Sequence, residues 1–334
     1  MNYRPLGVTG IKVSEIGFGS WGLGGEAYGP TDDAVSEQAL NTAFDEGINF
    51  YDTADLYGAG HSEELIGRIF KGRRDKVVIA TKGGTLPHTG FHMPQDFSPR
   101  HLRQALENSL RRLQTDYVDL YQLHSPSVEA LSNGAAIATL EKLRDAGKIR
   151  SFGVSARSPR DAMELLWQFQ LDVVQVNYNL IDQRAHDDGL LALARKKSAG
   201  IIARTPLCFG YLTGKMSGTE TLARRDHRAN WPVEQLRRWA ESPGLFAPLY
   251  TARRITPAQF ALRFCLQPSV VATTIPGLIT PEQVLENVKA VNLPPITPEE
   301  MEIIRDLYHT HTFYDPGIKV AATQAELSRL AKAA

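Results

Sequence analysis

Cysteine is nearly absent from this 334-residue chain. Cys208 and Cys265 are the only two, too few for a disulfide scaffold and compatible with a reducing compartment, so both are read as free thiols. An excess of one charge is also missing: 37 Lys plus Arg balance 37 Asp plus Glu, with a pI of about 7.1. Such a chain has no global field to attract nucleic acid or an anionic membrane, and a small molecule is the expected partner. No uncharged apolar run reaches the length of a membrane span. The start, Met1 to Leu6, lacks the basic and apolar regions of a secretory signal, so the cytoplasm is the expected location. P-loop, serine-elbow and repeat patterns are missing too.

What is present is an ordinary globular composition, 43% hydrophobic and 22% charged, ample for a large core. Short apolar runs alternate with amphipathic stretches, the pattern of repeated strand and helix units. Eight runs read as strands: Glu15–Gly19, Ile48–Asp52, Val77–Lys82, Tyr117–His124, Ile149–Ser155, Val173–Asn177, Ile201–Thr205 and Val271–Ile275. Eight strands with intervening helices predict a (β/α)8 TIM barrel, an α/β fold built as one domain over residues 1–334. Helices are expected to begin near Thr31, Ser62, Ser98, Gly134, Ser158, Ala185 and Thr256, with two more at Pro281–Ala290 and Pro298–Tyr308.

Three features extend this barrel. Tyr3–Leu6 and Lys12–Ser14 flank a turn at Val8-Thr9-Gly10, an N-terminal β-hairpin closing the barrel floor. Residues 206–256 are too long for a βα loop and carry a helical pattern near Val233–Trp239, which suggests a lid or cofactor clamp. Residues 310–334 read as a C-terminal loop and tail helix.

In a parallel barrel the chemistry lies at the C-terminal strand ends, and three of those ends carry ionisable groups. Asp52 ends the second strand and leads to Tyr57; Lys82 ends the third; His124 ends the fourth. Together they suit protonation of a carbonyl oxygen as hydride reaches its carbon, with a phenol as neutral donor. The ordinary phenol pKa of about 10 is too high for this. A Lys82 ammonium at ~4 Å, at an effective dielectric near 20, favours phenolate by about 4 kcal/mol, an expected drop of about three pK units at most. Asp52 is expected to orient Lys82, and His124 to donate to the substrate oxygen.

The run Asp52-Thr53-Ala54-Asp55-Leu56-Tyr57-Gly58, followed by Ser62 to Gly67, resembles the signature of the aldo-keto reductase superfamily. Ala80-Thr81-Lys82, the segment ending in His124, Gly153 to Ser155, Val174 to Asn179, Pro206 to Lys215 and Ile275 to Asn287 match in order. The resemblance implies an NAD(P)H-dependent oxidoreductase interconverting an aldehyde or ketone, or a sugar, and its alcohol, with Asp52, Tyr57, Lys82 and His124 catalytic. It implies NADP(H) or NAD(H) held by Ser155 and Gln175 at the carboxamide and Arg204 against the nicotinamide. Pro206, Leu207, Gly210, Leu212, Gly214, Lys215, Ile275 and Pro276 would contact the cofactor, with the Pro206–Gly210 loop near its pyrophosphate and Gly277, Gln283, Glu286 and Asn287 around the adenosine end. Within the family an NAD-dependent aldose dehydrogenase, or a nucleotide-sensing subunit like those of potassium channels, shares these residues.

This sequence departs from the family at three places. Ser155 is followed by Ala156 where many relatives have Asn, Arg204 replaces an aromatic ring, and Gly277 to Gln283 lacks the Lys and Arg that hold a 2′-phosphate. Lys215, Arg224 or Arg225 would have to compensate. Both nicotinamides therefore stay open, with family precedent favouring NADP.

Gly17-Phe18-Gly19-Ser20-Trp21-Gly22 formally matches a dinucleotide fingerprint, but no helix signal follows until Thr31, so it is read as a substrate loop. Trp21, Tyr28 and His88 are the expected substrate walls, with the His88–Met93 and Phe313-Tyr314 segments nearby. The pairs His88/His92 and His309/His311 fit no metal framework, and no metal is expected.

Overall fold

The computed structural model describes residues 1–315, except Glu26, Thr89 and Arg224, together with Gly317. The expected tail helix, from about Lys319, lies outside the described residues, as does Arg224. A two-stranded antiparallel sheet comes first, β1 (Tyr3–Pro5) with β2 (Lys12–Ser14). Eight parallel strands follow: β3 (Phe18–Gly19), β4 (Phe50–Asp52), β5 (Val78–Gly83), β6 (Val118–His124), β7 (Ile149–Ser155), β8 (Val173–Asn177), β9 (Gly200–Arg204) and β10 (Val271–Ile275). They pair in chain order, and the ring closes through parallel bridges Ile16↔Thr274 and Gly19↔Gly277. The fold is the expected (β/α)8 barrel with an N-terminal hairpin.

Inward positions recur every second residue along a barrel strand, and they sort by height. A lower cluster of Phe50, Val78, Leu120, Val173 and Ile202 is apolar and rests on Leu6, Ile11 and Val13 of the hairpin. One pleat repeat further along the same strands stand Asp52, Gln122, Gln175 and Arg204, with Lys82 two repeats above Val78. The hairpin thus plugs the floor, and the charged and amide groups of these strands stand at the upper mouth.

Several boundaries move for identifiable reasons. β3 is shorter than Glu15–Gly19 because the chain from Glu15 to Gly17 bonds as a bridge to β10: Thr274 N donates to Glu15 O at 2.9 Å and Gly17 N to Thr274 O at 2.9 Å. β9 stops at Arg204, since Thr205 takes a left-handed φ of 57°. The first long helix, Asp33–Asp45, is capped by Asp32 rather than Thr31. Ser62 lies inside the helix His61–Phe70, its hydroxyl turned onto Ser20 Oγ at 2.7 Å instead of capping. The helix expected near Ala185 divides into Arg184–Asp187 and Leu190–Lys197 around Gly189. Thr256, Thr280 and Thr297 each close a full capping box. Between β9 and Pro257 the long connection folds into the helices Val233–Leu245 and Ala247–Ala252. No helix among the described residues is long and apolar enough to cross a membrane.

Candidate active site

Lys82 is fully buried, and its ammonium meets three acceptors: Asp52 Oδ1 at 2.5 Å, the Thr53 carbonyl at 2.8 Å and Tyr57 Oη at 3.1 Å. An ammonium has three protons and no lone pair, so every donor is used. Tyr57 Oη accepts in this arrangement, which leaves its own O–H available to another acceptor. The ring is placed by a turn in which Tyr57 N donates to Ala54 O at 3.1 Å and Gly58 adopts φ 60°. That turn abuts the loop after β3 so closely that a Cβ on Gly24 would lie 2.4 Å from Gly58 N. Trp21 on that loop sits 6.2 Å from the Tyr57 ring, centroid to centroid, and the His124 ring meets Tyr57 edge-on at 6.1 Å.

Burial depresses an ammonium, but the Asp52 charge, the Tyr57 oxygen and hydrogen bonds to both hold the Lys82 pKa above the usual lysine value. Tyr57 corrects the sequence-based expectation. Burial outweighs the Lys82 charge, and the phenol pKa is raised, not lowered. His124 is kept neutral, far below the ordinary imidazole value, by burial and by the Lys82 and Arg204 charges. The four residues named from the sequence therefore converge, as a charged pair beside two neutral groups.

Ser155 and Gln175 were expected at this site, but their link to Asp52, and Gln122 with them, were not. The other Asp52 oxygen accepts Gln175 Nε2 at 2.7 Å and Gln122 Nε2 at 3.3 Å, and Ser155 Oγ donates to Gln175 Oε1 at 3.0 Å. Gln122 had a usable signal in the sequence, because it stands two residues before His124 and so shares its strand face. Arg204 reaches into the same space. Its Nη2 donates to the Ala156 carbonyl at 3.0 Å, while its buried Nε has no partner among the described residues.

The outer residues form two groups. Pro206, Leu207 and Leu212 are buried around the turn Cys208–Thr213, where Gly210 has φ 96°, while Gly214 and Lys215 are exposed. Lys215 Nζ lies 3.4 Å from Glu286 Oε2, so the two sides of the mouth meet. Ile275 ends β10, Pro276 and an exposed Gly277 follow, and Asn287 is buried. Gln283 uses its side-chain oxygen to cap the helix Pro281–Asn287, accepting from Ile279 N at 2.8 Å.

Trp21 stacks on His227 at 4.3 Å, and Tyr28 meets both rings edge-on at 5.6 and 5.1 Å. His227, from the long connection, joins this aromatic group, a contact that sequence reasoning missed. His88 is exposed, with Nδ1 2.9 Å from Leu86 O, and lies near enough to act electrostatically on His124. Phe91 packs on Trp231 at 4.8 Å and Trp231 on Tyr314 at 6.0 Å, joining three segments distant in sequence. Among the described residues no group of three or more His, Cys, Asp or Glu is placed to hold a metal ion.

The aldo/keto reductase family profile matches residues 15–309. Aldo-keto reductase YhdN of Bacillus subtilis is 37% identical over 249 residues, covering 72% of each chain. The NADH-specific methylglyoxal reductase of Escherichia coli is 32% identical, over 88% of this chain and 94% of the relative. Among solved structures, the glycerol dehydrogenase AKR11B4 of Gluconobacter oxydans superposes with a TM-score of 0.79 at 32% identity, covering 94% of this chain and 98% of that one. With a converging Asp52–Tyr57–Lys82–His124 site in a (β/α)8 barrel and a profile match across most of its length, the chain belongs to the aldo/keto reductase family of NAD(P)H-dependent oxidoreductases.

Proposed function

We propose that this protein interconverts a small aldehyde or ketone and its alcohol, using NADP(H) or NAD(H), with Tyr57 giving or taking the proton at the carbonyl oxygen. The observation that carries this is the position of Lys82 Nζ, bonded at once to Asp52 Oδ1 and Tyr57 Oη. A Tyr57 oxygen that already accepts from an ammonium keeps its O–H for a substrate acceptor. When that proton leaves, the Lys82 charge is already beside the oxygen that becomes anionic. Because burial holds the phenol protonated, no phenolate forms until a carbonyl draws on it, which suits general acid action. His124, neutral, offers a single N–H toward the same oxygen and adds no charge.

The strand ends fit a nicotinamide. Ser155 Oγ and Gln175 Oε1 keep acceptor lone pairs for a carboxamide, and the buried, unpartnered Arg204 Nε supports an acceptor arriving beside it. A cofactor bound there would supply hydride to the carbonyl carbon or take it from the alcohol carbon. Pro206, Leu207, Gly210, Leu212 and Gly214 would lie along its pyrophosphate side, Lys215 would face a 2′-phosphate, and Ile275, Pro276, Gly277, Gln283, Glu286 and Asn287 would surround its adenosine. Residues 206–256 serve as the clamp, tied to the Trp21 loop by His227 N donating to Ala27 O at 3.0 Å. Trp21, Tyr28 and His88 remain the proposed substrate walls, with His227 added.

A cofactor-fluorescence screen tests the reading, with both nicotinamides, in both directions, across methylglyoxal, glyceraldehyde, aromatic aldehydes and sugars. Saturable turnover of at least one carbonyl is expected. Nucleotide binding without multiple turnover of any substrate would favour the sensor alternative instead.

A further inference from the structure

Asp55 lies between Asp52 and Tyr57 in sequence but faces away from their hydrogen bonds. Its backbone N–H donates to the Lys82 carbonyl at 3.2 Å, so it is anchored to the residue that grips Tyr57. Its side chain enters a polar niche formed with Thr81 and Gly83 of β5, Tyr121 of β6, Glu63 of the helix His61–Phe70 and Arg112 of the helix Pro99–Leu113. Above Gly83, a Cβ would fall 2.2 Å from Tyr121 Oη and 3.4 Å from Asp55 Oδ2. The two groups therefore converge where only glycine leaves room.

The niche holds more acid than it can neutralise. Glu63 is fully buried and fully engaged, accepting Thr81 Oγ1 at 2.5 Å and Arg112 Nε at 2.7 Å. Arg112 is the cation of the niche, and its ion pair is with Glu63. Asp55 Oδ1 and Tyr121 Oη are both buried without a hydrogen-bond partner among the described residues. A carboxylate left so is unfavourable, whereas a carboxylic acid gains a donor and loses its charge. Burial, then the Glu63 charge, push the Asp55 carboxyl up to about 7, against the opposing pull of Arg112, the Leu56 N–H and Lys82.

We propose that Asp55 is a positioning residue that exchanges a proton with solvent and, through Lys82, sets how readily Tyr57 gives up its own. When the carboxyl releases its proton to solvent, a second negative charge appears behind the strand that carries Lys82, within electrostatic reach of its ammonium. The Tyr57 phenolate is then disfavoured. Protonated, Asp55 leaves Lys82 to Asp52 and Tyr57 alone. The effect on Tyr57 rests on the proton role proposed above; the protonation itself does not.

Two measurements on the intact protein test this. Infrared spectra of wild type and Asp55→Asn are recorded across roughly pH 5 to 9, spanning the range in which such a group titrates. A carboxylic C=O band present on the acid side, lost through neutrality and missing from D55N is the expected result. A wild type without that band, or a D55N protein that retains it, overturns the proposal. The second measurement is the pH profile of kcat for alcohol oxidation. With Asp55 fixed neutral, the alkaline limb moves to lower pH by about half to one unit. Coincident limbs in wild type and D55N overturn the coupling. Asp55→Leu serves both measurements if the Asn variant does not fold. The infrared measurement needs no turnover, so it stands apart from failure of the carbonyl-reducing assignment.

Discussion

Gln175 Nε2 donates to Asp52 Oδ2 across 2.7 Å, joining β8 to β4 through the barrel interior. The bond links a residue proposed to face the carboxamide with the carboxylate that orients Lys82. Cofactor seating and the Tyr57 proton are thus coupled through one buried amide. Gln175→Leu should lower kcat and weaken cofactor binding together, and cost about 1–3 kcal/mol of stability, because a buried carboxylate oxygen loses its best donor. Fluorescence titration and chemical denaturation read the two effects. Loss of binding alone would break the proposed coupling.

Lys82→Met removes a cation whose partner, Asp52, stays buried beneath it. Breaking such a pair typically costs about 3–5 kcal/mol, so a marked drop in Tm is expected. Turnover should fall by about 100-fold or more, through loss of the charge that stabilises a developing phenolate. Lys82→Met with Asp52→Asn should recover part of the stability and none of the turnover. Calorimetry with steady-state kinetics on both variants separates the two losses.

Acid sensitivity follows from His124. Burial, with the Lys82 and Arg204 charges, keeps the folded imidazole neutral, while the unfolded chain takes up a proton below its ordinary value of 6.5. The unfolded state then binds more protons, so stability falls as pH drops through that value. His227, lowered to about 3 chiefly by burial, acts in the same direction. Melting curves of wild type and His124→Gln between about pH 5 and 8 should diverge on the acid side, with the variant losing less. Parallel curves would contradict the neutral His124.

On the proposed function, Lys215 is a candidate cation for a 2′-phosphate. It is exposed and paired with Glu286 at 3.4 Å, so Glu286 would oppose that contact. Lys215→Ala should weaken NADPH binding several-fold and leave NADH nearly unchanged. Glu286→Gln should strengthen NADPH. Dissociation constants for both nucleotides with both variants check this, and equal changes for the two cofactors would refute it.

The tetrad was legible in the sequence because barrel topology places strand ends side by side and Asp52, Lys82 and His124 close three successive apolar runs. Gln122 was hidden inside such a run, where period-two alternation marks its face but not its partner 70 residues away. His227 lies on a segment whose path over the barrel no local pattern encodes. The sign of the Tyr57 shift was misjudged for a related reason. A pairwise charge can be estimated from neighbours in a motif, but desolvation depends on everything packed around the ring. Thr205 shows the limit at boundaries, its left-handed backbone ending β9 one residue before the apolar pattern stops.

The most direct measurement is single-turnover reduction of a carbonyl found in the screen, by wild type and Tyr57→Phe, each saturated with reduced cofactor. Cofactor affinity should be unchanged within about twofold, and the reduction step slower by about 100-fold or more, because the ring remains and only the proton donor is lost. Reduction by Tyr57→Phe at the wild-type rate would contradict the account.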